Sequence, residues 1–400
     1  MTQPERKGPL QDITVIDCTR ALAGPYGAGM LADLGAKVIK VEPPSGDGYR
    51  NIPPFLPDYA APYEDSLGAT DYGAPFAAVN RNKRSIVLDL KKDSHKLAML
   101  KLCDKADVLV ENMRAGVMDK LGLGYEVMAE RNPMIIYACV RGFGDSRTGE
   151  SPYLDWPCLD AAAQSFGGLV YANDGLVTPA IADIFPGTLM ALGVVSAIHH
   201  AQKTGKGQFL DVSMYDAMMA LQKSAVAQYG FTGKPNPPGL QRAMTLYPFD
   251  LFPTKDGRIA LAVAQPHHWD LLCAAMGRAD MMTDERCSSN AARLENVDWV
   301  EEQICTWTTS LKRAEIMATI DGGIPVGSVQ NMEDIFADPH VSARQMLEEC
   351  KPGGDNPEIQ MAANPIKFTD SPTNLYQVPP MLGQHTEEVF EEFGIQVPED

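Results

Sequence analysis

The sequence predicts an α/β fold, with a large Rossmann-like parallel-sheet domain and a smaller α+β domain. In the first half of the chain, short β-branched segments alternate with helical stretches, which is the pattern of βαβ units. The length of 400 residues, 45% of them hydrophobic, exceeds what one core usually organises. After residue 225, Pro-rich loops interrupt the alternation, and this change predicts the second domain.

The predicted strands of the large domain are short and rich in Val and Ile. A strand at 13–19, the helical stretch "ALAGPYGAGMLADLGA" and a strand at 37–42 form the first βαβ unit. Further strands, with helices between them, are predicted at 85–90, 107–112 and 134–140. This alternation indicates a parallel sheet covered by helices, whose ligands bind at the carboxyl ends of the strands.

The second half of the chain predicts the domain boundaries. Residues 187–203 indicate a long, mostly buried helix that ends at "TGKGQ" before the strand "FLDVSM". We therefore place the first part of the large domain at 1–224. The smaller domain follows at 225–330, where "LFPTKDGRIALAVA" has the pattern of a hairpin. Residues 331–400 have too few strand signals for a core of their own, so we expect them to return to the large domain.

Charge and composition exclude several classes of protein. A formal net charge of −18 disfavours nucleic acid and anionic membranes as partners. No apolar run reaches the roughly 18 residues that span a bilayer, and "MTQPERKGPL" lacks a signal-peptide core, so we expect a cytoplasmic protein. The 8 cysteines and 7 histidines lack metal-ligand spacing, so we expect no metal. Motifs for nicotinamide or ATP binding are also missing.

Basic residues stand beside strand ends in this acidic chain. Lys83 and Arg84 accompany one strand, Arg114 and Lys120 follow another, and Arg141 ends a third. Each taken alone is most often a solvated charge. Three such groups favour a phosphate-rich ligand that is held by charge-assisted hydrogen bonds.

Three aspartates are candidates for chemistry or for helix capping. Asp155 precedes a proline, and we expect it to cap a helix that begins near Trp156. Asp160 has small apolar neighbours, which exclude water and make a carboxylate more reactive, but Asp160 could equally be the cap. Asp183 starts an apolar helix and could also be a cap.

A Gly pair, Gly167 and Gly168, follows the Asp160 segment. The two glycines could offer backbone N–H donors to a developing oxyanion, although such pairs more often simply turn the chain.

Taken together, seven segments of the chain resemble the class III CoA-transferases, the CaiB/BaiF family. They are "DCTRALAGPYGAGMLADLGAKVIKVEPPSGD", "NRNKRSIVLDL", "VENMRAGVMDKLGLGYE", "IIYACVRGFG", "LDAAAQSFGG", "TGKGQFLDVSMYDAM" and "PPMLGQHT". The resemblance implies a large α/β domain built from both chain ends, a smaller domain between them, and an interlocked homodimer. It also implies an acyl-CoA and a carboxylic acid as substrates, with no permanently bound cofactor.

The resemblance further implies the residues of the site. Asp160 would be the nucleophile, which carries CoA through mixed-anhydride and aspartyl-CoA thioester intermediates next to Gly167 and Gly168. The implied CoA contacts are Ala21, Leu22, Lys83, Arg84, Asn112, Met113, Lys120 and Arg141.

The segments "SGDGYR" and "GLGYE" are similar to those of family members that use short dicarboxylates such as succinate, glutarate, malate or mesaconate. In that setting Arg50 is a candidate partner for the distal carboxylate of the substrate.

Two alternatives remain open from the sequence. The chain also resembles α-methylacyl-CoA racemases, which carry His directly before the position of Asp160, where this chain has Leu159. Without that His, no base is available to exchange the α-proton on one face of the acyl-CoA. The second alternative is a CoA-binding protein without turnover, against which an intact Asp160 argues.

Overall fold

The computed structural model describes residues 8–56, 72–238, 245–352, 357–371 and 373–398. The chain divides into two compact units. The large unit comprises residues 1–171, 175–235 and 342–400, and the small unit comprises 172–174 and 236–341.

The large unit begins with alternating strands and helices. In chain order they are β1 (Thr14–Cys18), α1 (Ala23–Asp33), β2 (Lys37–Glu42), a 3₁₀ helix (Gly48–Asn51), α2 (Ala74–Asn80), β3 (Lys83–Val87), α3 (Asp93–Cys103), β4 (Val108–Glu111), α4 (Val117–Lys120), α5 (Tyr125–Arg131), β5 (Ile136–Arg141), α6 (Asp160–Phe166), α7 (Leu169–Asn173), α8 (Ile181–Thr204), β6 (Gln208–Ser213), α9 (Met214–Leu221) and α10 (Lys223–Thr232). The six strands form one sheet in the order β3-β2-β1-β4-β5-β6. All neighbouring pairs are parallel.

Both faces of this sheet are covered, as the continuous apolar runs of its strands require. Val15 of β1 belongs to a buried cluster with residues of α1 and α8. The next residue, Ile16, belongs to a second cluster with residues of α3 and the C-terminal segment. Since successive side chains of a strand point to opposite faces, the core lies on both sides of the sheet.

Helices α1 and α8 approach each other closely at two glycines. A Cβ added to Gly187 would lie 2.4 Å from the carbonyl oxygen of Ala23, and one added to Gly27 would lie 2.4 Å from that of Gly187. Helix α8 is long and apolar enough to cross a membrane by length and composition. Its contacts with α1 and the buried cluster make it a core helix of the large unit.

The small unit contains an antiparallel sheet in the order β7-β8-β9, covered by helices. Its elements are β7 (Phe249–Thr254), β8 (Gly257–Ala262), α11 (Pro266–Ala275), a 3₁₀ helix (Ala279–Met282), α12 (Asn290–Glu295), α13 (Val297–Thr308), α14 (Arg313–Ile320), β9 (Val326–Ser328) and α15 (Met332–Phe336). Trp269, Phe252 and Ile304 are part of its own buried core.

The C-terminal segment packs on the edge strand of the large sheet. It contains the hairpin of β10 (Leu347–Cys350) and β11 (Ile359–Ala362), and α17 (Thr386–Phe393), whereas α16 (Pro339–Ala343) spans the point where the chain passes from the small unit to the large one. The His385 backbone N–H donates to the Ser85 carbonyl at 2.9 Å, and the Ser85 N–H donates to His385 Nδ1 at 3.2 Å. These bonds satisfy groups that an uncovered edge strand would expose.

The helix predicted to begin near Trp156 is absent from this described stretch, so the prediction that Asp155 caps it is wrong. The helix begins at Asp160, with Leu159 in extended conformation as the N-cap. The run of alanines after Asp160 explains this start, because Ala has the highest helix propensity. Asp160 is therefore the first helical residue and not a cap.

We expect Gly187→Ala to destabilise the large unit by about 1–3 kcal/mol, because the added methyl group would overpack the α1–α8 contact. Gly149→Ala is the matched control, since nothing lies within 4 Å of the Cβ it would add. Its effect should stay within about 0.5 kcal/mol. Urea unfolding followed by circular dichroism measures both, and equal midpoints for the two variants would contradict this account of the packing.

Candidate functional site

Charged side chains of β1, β2 and β3 pair with one another inside the sheet. Lys83 Nζ donates to Asp17 Oδ2 at 2.9 Å, and Lys40 Nζ donates to Asp47 Oδ2 at 3.0 Å. Asp17, Lys40 and Lys83 are 0% exposed. Burial alone would raise the pKa of Asp17, but the charges of Lys83 and Lys40 outweigh it and lower this pKa. The pairs connect Asp17, near the carboxyl end of β1, with Lys83 at the amino end of β3, and they connect β2 with the segment that follows it.

The order of the strands creates a crevice between β1 and β4. The chain adds β2 and β3 on one side of β1, and β4, β5 and β6 on the other, so the connections that follow β1 and β4 lead to opposite sides of the sheet. Ala21 and Leu22 lie in the first loop, and Asn112 and Met113 lie in the second. Four of the predicted CoA contacts therefore come together at this crevice.

Two side chains hold the loop after β1. Asn112 Oδ1 accepts the Arg20 N–H at 2.8 Å, and Asn112 Nδ2 donates to the Arg20 carbonyl at 2.7 Å. Asp47 Oδ1 accepts the N–H of Ala21 at 3.2 Å. Ala21 has a φ of 60°, a strained conformation for a residue with a Cβ, which these bonds help to maintain.

The other predicted CoA contacts are mostly engaged in ion pairs of the fold. Lys83 uses all three of its N–H donors, on Asp17, the Pro25 carbonyl and Asn80. Burial lowers the pKa of Lys83 to about 8. This arrangement leaves Lys83 no free donor, so the geometry favours a structural role over a CoA contact.

Arg141 is similarly occupied, Arg84 is occupied at Nη1 but its buried Nη2 has no hydrogen-bond partner within the described residues, and Lys120 is exposed. Arg84 Nη1 donates to Glu392 at 2.7 Å and to Glu388 at 3.1 Å, which ties β3 to α17. Arg141 forms ion pairs with Glu111 and Asp145 and donates to the Met113 carbonyl. A phosphate would have to compete with these carboxylates, so CoA contacts at Arg84 and Arg141 stay predictions.

Arg50, the predicted partner of a substrate carboxylate, is 1% exposed. Its Nε and Nη2 donate to Glu42 at 2.8 and 2.6 Å, and its Nη1 donates to the Pro380 carbonyl at 3.0 Å. The guanidinium lies 3.9 Å from the ring centroid of Phe76. This geometry favours a role in anchoring the 3₁₀ helix after β2, and a contact with substrate stays a prediction.

The predicted glycine pair ends α6. The Gly167 N–H donates to the Ala163 carbonyl and the Gly168 N–H to the Ser165 carbonyl, so neither amide points at a developing oxyanion. A Cβ at Gly167 would lie 2.2 Å from Met218 Cβ. The pair therefore serves close packing and a turn in this conformation.

The carboxylate of Asp160 bridges α6 to the start of α8. Its Oδ1 accepts the Ala182 N–H at 2.9 Å, and its Oδ2 accepts from Gln164 Nε2 at 2.8 Å. Gln164 is buried and also exchanges hydrogen bonds with both backbone groups of Val177. Because the N-terminus of a 24-residue helix carries partial positive charge, it stabilises the negative charge of Asp160.

Asp183, one residue after Ala182, has a different environment. Burial first, and then the charge of Asp160, raises the pKa of Asp183 to about 6. Within the described part of the chain, its carboxylate has no hydrogen-bond partner. Burial and the charges of Asp183 and Asp160 also raise the pKa of Cys158, to about 11, so this thiol is protonated at neutral pH. The site thus contains two neighbouring carboxylates, and burial together with the charge of Asp160 raises the pKa of Asp183.

Sequence reasoning identified both members of this pair but missed Gln164 and Ala182. The spacing of Asp160 and Gln164, four residues apart in "DAAAQ", was a readable signal, since residues i and i+4 of a helix share a face. The bond to Ala182 comes from the tertiary packing of α6 on α8, which no local pattern encodes.

Comparison with known proteins relates these features to a family. Residues 10–386 match the sequence family described as CoA-transferase family III. The chain is 39% identical over 394 residues to the succinyl-CoA:mesaconate CoA-transferase of Haloarcula hispanica, with 97% of each chain covered. It is 34% identical over 399 residues to the succinate–glutarate CoA-transferase of Agrobacterium fabrum, with 97% of this chain and 96% of that one covered.

Solved structures agree with this assignment. A CAIB/BAIF family protein from Brucella suis matches with a TM-score of 0.83 and 30% identity, over 97% of this chain and 100% of that one. Rv3272 from Mycobacterium tuberculosis matches with a TM-score of 0.81 and 27% identity, over 96% and 99%. These similarities confirm the family that the sequence motifs indicate. The chain is a family III CoA-transferase, of the CaiB/BaiF type.

Proposed function

We propose that the protein moves CoA from an acyl-CoA thioester to a short dicarboxylic acid through covalent intermediates on an aspartate. The observation that carries the mechanism is the pair Asp160 and Asp183 at the N-terminus of α8. The named relatives act on succinyl-CoA, mesaconate and glutarate, which supports short dicarboxylates as the substrate class. CoA is a substrate in this proposal and not a resident cofactor.

The reaction has four acyl transfers. The aspartate oxygen attacks the thioester carbonyl, the C–S bond breaks, and CoA leaves as a thiolate. The thiolate attacks the aspartyl carbonyl of the mixed anhydride and releases the donor acid, which leaves an aspartyl-CoA thioester. The acceptor carboxylate displaces the thiolate to form a second anhydride. The thiolate then attacks the acceptor carbonyl, which yields the new acyl-CoA and restores the aspartate. Retention of CoA in the crevice makes each step effectively intramolecular.

The resemblance implies Asp160 as the attacking carboxylate, but the geometry favours Asp183. Both oxygens of Asp160 already accept hydrogen bonds, which lowers their nucleophilicity and fixes their position. Asp183 accepts none within the described residues, and its raised pKa makes its carboxylate more basic. In this assignment Asp160 orients the start of α8 and raises the pKa of its neighbour, as in other sites where two carboxylates divide the roles.

We also propose that the enzyme is a cytoplasmic, interlocked homodimer. An apolar surface on α8, α9 and α10 supports a second copy as its partner: Leu192 is 63% exposed and Phe231 is 92% exposed, with Met219 and Tyr229 also exposed. Monomeric proteins rarely leave large contiguous apolar patches in water. All eight cysteines are free, as is usual in a reducing compartment.

Succinyl-CoA without acceptor should leave covalent CoA on the unmodified protein, detected by intact mass spectrometry and located by peptide mapping. We expect Asp183→Asn to abolish the adduct and to lower transfer by about 10³-fold or more, as loss of a nucleophile does. Asp160→Asn should keep the adduct but lower transfer by about 10²-fold, because the attacking group is misplaced.

Asp155→Asn, an exposed position in a turn, is the matched control and should behave as the unmodified protein. Adduct loss in Asp160→Asn with retention in Asp183→Asn would return the nucleophile to Asp160. An absence of adduct with succinyl-CoA and acetyl-CoA alike would contradict the covalent route.

The pKa of Asp183 should be visible in the infrared C=O stretch of its protonated carboxyl group, assigned by subtraction of Asp183→Asn. We expect this band to disappear as the pH rises through about 6. Asp160→Asn removes a negative charge that favours the protonated form, so the midpoint should move to lower pH. An unchanged midpoint in Asp160→Asn would show that the two carboxyl groups do not interact.

Leu192→Glu should weaken self-association by at least about 10-fold, since burying an unpaired carboxylate in an apolar interface is unfavourable. Light scattering coupled to size exclusion measures the mass across a dilution series. Leu97→Glu on α3 is the control, because Leu97 is also exposed, at 49%, but lies outside this surface. A Leu192→Glu protein that stays dimeric at every dilution would exclude this surface as the interface.

A further inference from the structure

Tyr49 is a half-buried residue on the 3₁₀ helix after β2, and the reaction outlined above gives it no task. Its backbone is firmly held. The Tyr49 N–H donates to Asp47 Oδ1 at 3.0 Å, and the next residue, Arg50, is anchored on Glu42. Asp47 is itself held by Lys40 in the ion network of the sheet. The position of the Tyr49 backbone is therefore set by the rigid carboxyl end of the sheet.

Two contacts connect this helix to the start of α8. The oxygen of Asp47 that accepts the Tyr49 N–H also accepts the N–H of Ala21. Ala23, two residues later, is packed against Gly187 of α8. Asp183 lies four residues before Gly187, which is about one helical turn. The 3₁₀ helix that carries Tyr49 and the first turn of α8 that carries Asp183 are thus both placed beside the loop after β1.

The electrostatics agree with this placement. Burial first, and then the charge of Asp183, raises the pKa of Tyr49, so the phenol stays neutral and can donate a hydrogen bond. Within the described residues, neither the Tyr49 hydroxyl nor the Asp183 carboxylate has a hydrogen-bond partner. The charge of Asp183 acts on the phenol without a direct hydrogen bond between the two side chains.

A substrate carboxylate needs such a donor next to the aspartates. Asp160 and Asp183 both carry negative charge once ionised, and like charges repel an incoming acid. Arg50, the cation suggested by the sequence, is already paired with Glu42. A neutral hydroxyl can bind the acid and can also stabilise the oxyanion that forms on its carbonyl, without drawing a proton from the aspartates.

We propose that the Tyr49 hydroxyl donates a hydrogen bond to the reacting carboxyl group of the acid while that group is transferred at Asp183. This assignment rests on the proposed function, because it requires anhydride chemistry at the aspartate pair. Tyr49 is then a substrate-contacting residue for both half-reactions, since the donor and the acceptor acid occupy the same position in turn.

The test is Tyr49→Phe, which removes one oxygen and keeps the ring. With succinyl-CoA as donor and glutarate as acceptor, we expect kcat/KM for the acid to fall by about 10- to 100-fold, the effect of losing one hydrogen bond to a charged group. The Kd for free CoA and the Tm should stay as in the unmodified protein. Tyr125→Phe on α5, a position half-buried like Tyr49 but outside the site and the proposed interface, is the matched control and should leave all three quantities unchanged.

Each outcome has a distinct meaning. Unchanged kcat/KM for the acid in Tyr49→Phe would overturn the assignment, and so would a parallel loss of CoA affinity and Tm, which indicates a structural role. The covalent adduct separates this failure from that of the proposed function. An adduct on the unmodified protein with normal kinetics in Tyr49→Phe refutes the role of Tyr49 alone, whereas no adduct at all refutes the chemistry on which it rests.

Discussion

The buried ion network that joins β1, β2 and β3 is the constraint on which the site depends. Lys40 and Lys83 are cations in a fully buried position, and such charges are stable only when paired and hydrogen-bonded. Their partners fix the relative positions of β1, β2 and β3, and Lys40 also holds Asp47. Asp47 in turn orients both the loop after β1 and the 3₁₀ helix after β2. These buried charges thus set the position of the backbone around the crevice.

The sequence predicts the sheet and the family well because both depend on local patterns. Strand β2 is found at the predicted residues 37–42. Strand β1 spans Thr14–Cys18, within the predicted range of 13–19. Strand β3 begins at Lys83, two residues before the predicted start, because buried charges interrupt its apolar pattern. Periodicity cannot show that Lys83 is buried, since the carboxylate that pairs with it lies 66 residues away.

The same limit explains the basic residues that suggested a phosphate site. A sequence displays Arg84 and Arg141 but not the partners that the fold supplies, which are Glu392 for the first and Glu111 for the second. Their positions at strand ends are equally compatible with ligand binding and with pairing inside the sheet. By contrast, Ala21 and Asn112 follow strands on either side of the point where the strand order reverses, and that topological argument identifies the crevice without any contact.

Helix α8 contributes to the core, to the proposed site and to the proposed dimer interface. Its glycine contact with α1 sets its distance from the loop after β1, its first turn carries Asp183, and its outer face exposes Leu192. A helix is stiff along its axis, so a displacement at any one of these points moves the others. If a second copy binds the outer face, its packing bears directly on the separation of Asp183 and Tyr49. Assembly and the proposed chemistry then share one element, and the buried contact between Gly187 and Ala23 sets the distance of that element from α1.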